Sequence, residues 1–340
     1  MAFFKKAACF TDIHFGMKGN SRIHNDDCEA FIYWFMEQAK AHDCETCIFL
    51  GDWHHHRSST NVSTMNYTVS NMERLGKAFE KTYVIMGNHD LFYRDKREIN
   101  SMEFVRNIPN VHLVNDWIET EDVAIVPWIV QDEWKRIPQM KQRYMFGHFE
   151  LPYFKMNAMV DMPDVGGIKA EHFVNQEYVF TGHFHKRQIR NNISYMGNAF
   201  PHNYADAGDD ERGMMILEYG GKPKYINWPE MPRYRNYKIS QLLADPESLL
   251  QPKMYVRVTL DIKISYEEAN FIRETFIDKY KLRELQLIPE QLDQATQTTA
   301  TVEKFDSVDQ IVVKQHESVE SQTYDKKILM AIYQNLDVKN

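Results

Sequence analysis

Tyr83-Val84-Ile85-Met86-Gly87-Asn88-His89-Asp90 is a short apolar, β-rich run that breaks at a glycine into a polar cluster. The same grammar recurs on either side of it. Ala7 to His14 reads AACFTDIH, Thr46 to Asp52 reads TCIFLGD, Arg143 to His148 reads RYMFGH and Tyr178 to His185 reads YVFTGHFH. Short apolar runs bounded by turn residues predict buried strands. Each cluster therefore falls at the C-terminal end of a strand. In an open α/β sheet such ends converge on one crevice, where ligands bind.

Further strands are predicted near 111–114 and 122–126, with helices between the strands. Residues 27–41 place Phe31, Trp34, Phe35 and Gln38 on one side at helical spacing. Helical patterns also occur at 63–81 and 98–107. After His185 the pattern changes to short strands (QIRNNISYMG, GMMILEY, PKYINWP), expected to form a second sheet packed on the first. The expected class is α/β, a two-sheet sandwich with helices on both sides.

The Pro- and Arg-rich stretch at 229–237 reads as a boundary, dividing a domain at 1–232 from a small one at 233–289. Tyr255 to Ile262 and 282–288 are expected strands of the small domain. Between them, helix 267–280 carries Ala269, Ile272, Phe276 and Tyr280 on one face. A β-α-β unit of about 55 residues needs to dock on something to be stable. Residues 290–310, rich in Gln and Thr, read as a linker. The tail, 311–340, offers Ile328, Leu329, Ile332, Tyr333 and Leu336 as an apolar helical stripe.

The chain has 340 residues, 43% of them hydrophobic and 26% charged, ordinary for a soluble globular protein. No apolar run has the ~18 residues of a membrane span, and the N-terminus has no signal-peptide pattern, so a cytoplasmic protein is expected. Cys9, Cys28, Cys44 and Cys47 read as reduced, packed thiols. Cys44-Glu-Thr-Cys47 has redox-motif spacing, but it runs straight into a strand. A net charge of −8 argues against nucleic-acid binding. Two divalent cations at the point where a phosphate sits would weaken that objection.

Carboxylate, amide and imidazole donors together suit manganese, iron or zinc. A pair of such ions hydrolyses phosphate esters, and an anionic ligand usually bridges them. Asp52, on a glycine turn, is the natural bridge. Asp12 and His14 are two residues apart, as are His183 and His185. On extended backbone such pairs point the same way. Asn88 offers a neutral oxygen and His148 one more imidazole. His89 is the candidate to protonate the leaving oxygen or hold the phosphate, and Asp90 the candidate to orient its ring. A single Gly-Asp or Gly-His pair means little. The whole series, in order and after strands, is specific.

These motifs (D-x-H, G-D, G-N-H-D, G-H, G-H-x-H) resemble those of the calcineurin-like metallophosphoesterases. The resemblance implies a first ion on Asp12, His14, Asp52 and His185, a second on Asp52, Asn88, His148 and His183, and His89 near the scissile phosphate. A narrower resemblance is to SbcD-like double-strand-break repair nucleases, a group that includes the nuclease subunits of T-even phages. It rests on Leu91-Phe92-Tyr93 after the third motif, Gly147 to Leu151, Tyr195 to Phe200 with Asp209 to Gly213, and the small capping module and tail. It implies a manganese-dependent nuclease, 3′-to-5′ exonuclease on duplex DNA ends and endonuclease on single strands. Such an enzyme acts in recombination and repair as a homodimer, with a coiled-coil SbcC-like ABC-type ATPase gripped by the C-terminal helices. Residues 63–80, with Met65, Val69, Met72 and Leu75, are the expected dimer helix. One departure stands out: the second motif continues as Trp53-His54-His55-His56-Arg57, expected to be a solvated loop, with Arg57 a candidate DNA-phosphate contact. A small-molecule phosphoesterase of the same superfamily is the alternative. A non-catalytic DNA-bridging scaffold is disfavoured, because every ligand position is filled.

Overall fold

The computed structural model describes residues 2–156 and 160–289. In chain order the strands are β1 (Lys6–Phe10), β2 (Thr46–Phe49), β3 (Lys81–Ile85), β4 (Val111–Val114), β5 (Ile118–Glu119), β6 (Val123–Ile125), β7 (Tyr144–His148) and β8 (Tyr178–Gly182). They continue as β9 (Gln188–Arg190), β10 (Ile193–Tyr195), β11 (Gly213–Glu218), β12 (Lys224–Asn227), β13 (Tyr234–Lys238), β14 (Tyr255–Leu260) and β15 (Glu284–Pro289). The principal helices are α1 (Arg22–Ala41), α2 (Val62–Ala78), α3 (Ile239–Ala244) and α4 (Tyr266–Tyr280).

Two six-stranded sheets have the orders β12-β11-β1-β2-β3-β4 and β5-β6-β7-β8-β10-β9. Alternate side chains of a strand face opposite ways, and the sequence supplies apolar residues for both faces. In β1, Ala7 and Cys9 enter the core shared by the two sheets, while Ala8 and Phe10 turn outward to α1 and α2. In β7, Tyr144 and Phe146 face the shared core and Met145 faces a third cluster, on the far side of the second sheet.

Helix α1 opens on Ser21, whose side chain accepts from the His24 N–H, and buries Cys28, Phe31, Ile32, Phe35 and Ala39. The expected face is thus rotated toward Ile32 and Ala39; Trp34 is only partly buried. The Phe10 ring meets Phe35 at 4.5 Å and Phe49 at 4.8 Å. Helix α2 buries Met72 and Leu75 in its own core, against α1 and the first sheet. All four cysteines are free and buried.

The short strands after His185 do not make a sheet of their own. β9 and β10 extend the second sheet beside β8, and β11 and β12 extend the first beside β1. The expected 98–107 helix is a 3-10 turn, Glu103–Asn107. The stretch expected as a boundary contains β13, the first strand of a parallel three-stranded sheet β13-β14-β15. That sheet has its own core of Val256, Val258, Leu285 and Tyr280, with Ile272 and Phe276 against it. It docks through Arg283 to Asp27 (3.2 Å) and through the Tyr234 hydroxyl, which donates to the His202 carbonyl (2.8 Å). The expected linker (290–310) and tail (311–340) lie outside the described residues.

Candidate metal centre

The polar clusters follow β1, β2, β3 and β8 and close β7, so five loops from two sheets meet. The period-two expectation for the ligand pairs does not hold. Asp12 (φ 50°), His14 (φ 53°) and His183 (φ 92°) have left handed-region backbone, because each strand has already ended. Backbone bonds between loops set their directions instead: Asp12 N–H to the Gly51 carbonyl (3.0 Å), His14 N–H to Asp52 (3.2 Å) and Phe15 N–H to Trp53 (2.7 Å). Two glycines make the approach possible. Gly51 has φ +102°, and a Cβ there would lie 2.5 Å from His148 Nδ1. A Cβ on Gly87 would lie 2.1 Å from Asp52 Oδ1.

The donors converge as two groups that share Asp52. His14 Nε2 lies 3.8 Å from Asp12 Oδ1, 3.7 Å from Asp52 Oδ2 and 3.2 Å from His185 Nε2. On the other side His148 Nε2 is 3.5 Å from Asp52 Oδ2, and His183 Nδ1 is 2.9 Å from Asn88 Oδ1. Donors bound ~2.1 Å from one ion stand about 3–4 Å apart, so this spacing suits cations. The orphaned atoms suit them too. His148 Nδ1 bonds the Leu50 carbonyl (2.7 Å), and its Nε2, aimed at Asp52, is buried with no hydrogen-bond partner among the described residues. A neutral ring donating from Nδ1 presents a bare lone pair at Nε2, the form that ligates a metal. Burial pulls His14 well below, and His183 below, the usual histidine range. Burial opposes charge on His148 as well, but the Asp52 carboxylate carries it up to about 9, a pull that a cation on Asp52 would relieve.

His89 sits beside both groups. Its ring is edge-on to His14 at 4.9 Å, and its backbone N–H donates to Asp52 Oδ1 (2.8 Å). Asp90 does not orient that ring. The His55 carbonyl does, 2.7 Å from His89 Nδ1. The fully buried Asp90 carboxylate instead accepts the N–H groups of Asp52, Trp53, His54 and Gly87, each at 3.0 Å. It ties the loop after β2 to the loop after β3.

Nor is the histidine run a solvated loop. His54 is buried, with ring nitrogens 2.7 Å from Ser101 Oγ and 3.0 Å from Thr68 Oγ1. His55 stacks on His89 (5.5 Å, 16°). Only His56 is exposed, and Arg57 is half-buried.

Three neighbours carry no assigned role in the sequence reading. Glu150 Oε1 lies 3.2 Å from His183 Nε2 and 2.6 Å from Arg94 Nη2. The His183 ring is the leading cause that holds Glu150 down to about 2. The Trp128 ring packs 5.2 Å from His183. His202, fully buried, stands edge-on to His14 and His185. Glu150 could have been suspected from its place two residues after His148. His202 stands two residues past the Tyr195 to Phe200 stretch, outside the Gly-His pattern of the other candidate ligands, so that pattern did not point to it.

A family model described as calcineurin-like phosphoesterase matches residues 5–187, over half of the chain. Exonuclease subunit 1 of Enterobacteria phage T4 is 26% identical over 219 residues, 61% of this chain. The chain spans 62% of that relative's length. Among solved structures, the Pseudomonas putida nuclease MPE is 19% identical with a TM-score of 0.29, covering 55% of this chain and 66% of that one. A dimetal phosphatase from Danio rerio is 10% identical with a TM-score of 0.39, covering 63% of this chain and 92% of that one.

Proposed function

The chain belongs to the calcineurin-like phosphoesterases, and on that premise we propose that it is a two-metal DNA nuclease subunit of recombination and double-strand-break repair. The observation that carries the proposal is the convergence of two donor groups on Asp52, with His89 beside them. The phage relative, an exonuclease subunit, supports DNA as the substrate. Asp12, His14, Asp52 and His185 would hold one ion and Asp52, Asn88, His148 and His183 the other, with manganese our first choice. Such a pair, when bound, would activate water as the nucleophile and offset the charge of the phosphate and the leaving oxygen.

The chain's own residues do the rest. Leu50 fixes the His148 ring through Nδ1, and the His55 carbonyl fixes His89 the same way. That leaves the other nitrogen of His89 to pass a proton to the leaving oxygen. We further propose 3′-to-5′ exonuclease action on duplex ends and endonuclease action on single strands, in the cytoplasm. The partners would be a second copy, through the outer face of α2, and an SbcC-like ATPase, through residues 311–340. Arg57 would touch the DNA backbone, and residues 233–289 would cap the site.

The test is degradation of end-labelled duplex DNA with manganese, with magnesium, and by His89→Ala. Manganese-dependent nucleotide release that disappears in the variant is expected. Turnover of nitrophenyl phosphate without DNA cleavage would instead make the chain a small-molecule phosphoesterase.

A further inference from the structure

His202, in the loop between β10 and β11, is fully buried, and neither of its ring nitrogens has a hydrogen-bond partner among the described residues. A neutral imidazole has one donor and one acceptor to satisfy, and buried polar atoms are seldom left unpaired. The ring stands edge-on to His14 (5.4 Å, 84°) and to His185 (5.3 Å, 85°). One nitrogen from each of the three rings falls within 4.8 Å of the others. The backbone holds it there: the His202 N–H donates to Asp206 Oδ2 (2.9 Å), and its carbonyl accepts from the Tyr234 hydroxyl (2.8 Å).

We infer that His202 is a further ligand of the ion held by Asp12, His14, Asp52 and His185. The inference rests on the two-metal reading above and deepens it. It makes the two sites unequal. The first then offers three imidazoles and two carboxylates; the second offers two imidazoles, one amide and the shared carboxylate. Imidazole-rich sets suit zinc, iron and nickel, whereas oxygen-rich sets suit manganese and magnesium. The first site should therefore hold a borderline metal more tightly than the second. The competing role for the ring is plain packing against Phe200 (5.0 Å) and His24 (5.5 Å).

Cobalt(II) titration of the metal-free full chain, followed by visible absorption, separates the two roles. Two equivalents are expected for the unaltered protein. His202→Phe keeps an aromatic ring for packing, and near-ultraviolet circular dichroism checks its fold. It should bind one of the two equivalents roughly tenfold or more weakly, with an altered absorption band. Two unchanged steps and an unchanged band would overturn the inference and leave the two-metal reading standing. An unaltered protein that takes up no cobalt would overturn both. If the variant does not fold, the unaltered protein decides. Labelled with 15N-histidine and loaded with zinc, it should show one metal-bound nitrogen in the His202 ring, and two unperturbed nitrogens there would refute the role.

Discussion

Replacing Asp90 by Asn removes one acceptor from a carboxylate that serves four backbone donors. Oδ1 takes Trp53 and His54, and Oδ2 takes Asp52 and Gly87. Whichever way the amide turns, two N–H groups would face an NH2. Above about pH 7, where Asp90 is ionised, bonds to a charged acceptor contribute about 1.5–3 kcal/mol each, so the loss there is about 3–6 kcal/mol. Part is offset, because a buried amide costs less than a buried carboxylate. Burial, then the Asp52 charge, already push Asp90 up to about 7, against the amides of His54 and Gly87. A net destabilisation of about 2–4 kcal/mol is expected, which lowers the melting temperature by roughly 5–15 °C. Metal affinity should fall too, because the freed loop carries Asp52. The sign with pH follows from the raised pKa. In metal-free protein, Asp90's contribution is full below its unfolded value near ~3.9 and is lost as pH rises through about 7. The stability difference between wild type and Asp90→Asn should therefore change across that window. Urea unfolding at several pH values, with chelator, measures both. A variant within about 0.5 kcal/mol of wild type, altered only in its pH–rate profile, would show that Asp90 acts on His89 instead.

Other outcomes are equally concrete. His89→Ala should retain both metal equivalents by dialysis and lose about 10²-fold or more in phosphodiester turnover; loss of metal would refute the proton-transfer role. Glu150→Gln should weaken metal binding at the Asn88 side roughly tenfold with a near-wild-type melt, and an unchanged titration would show that Glu150 serves only Arg94. Chelation should lower the melting temperature by roughly 5–10 °C, since metal at 100 Kd contributes about 2.7 kcal/mol; superimposable melts would refute metal binding. Leu329→Asp with Ile332→Asp should abolish co-purification with an ATPase partner and spare DNA cleavage, and unchanged co-purification would refute that stripe as the docking surface.

The strands and their polar ends were legible because a buried strand needs a β-rich apolar run, and a loop crowded by its neighbours needs glycine. Gly51 and Gly87 show the second requirement directly. Pairing was not legible. Nothing in Gly213 to Glu218 announces β1, some 200 residues earlier in the chain, as its partner. Tyr234 read as part of a boundary, yet its ring stacks on Tyr255 at 4.6 Å and starts a strand. His54 read as solvated because the residues that satisfy it, Thr68 and Ser101, are local only in space. Asp90 was noticed for its neighbour His89, whereas its partners are backbone groups, which carry no side-chain signature.

The donors come from loops of both sheets: Asp12, His14, Asp52 and Asn88 from the first, His148, His183 and His185 from the second. His14 and His185, 171 positions apart, meet only once the sheets have closed on each other. Neither sheet alone can offer a complete set. An ion bound there would act as a rivet through the seam, joining positions 171 apart in the chain, where the entropy cost of closing the loop grows only slowly with its length. Metal capture would then require both sheets to be in place. Chelation would loosen the seam at the end where the donors meet, while the aromatic core beneath stays packed.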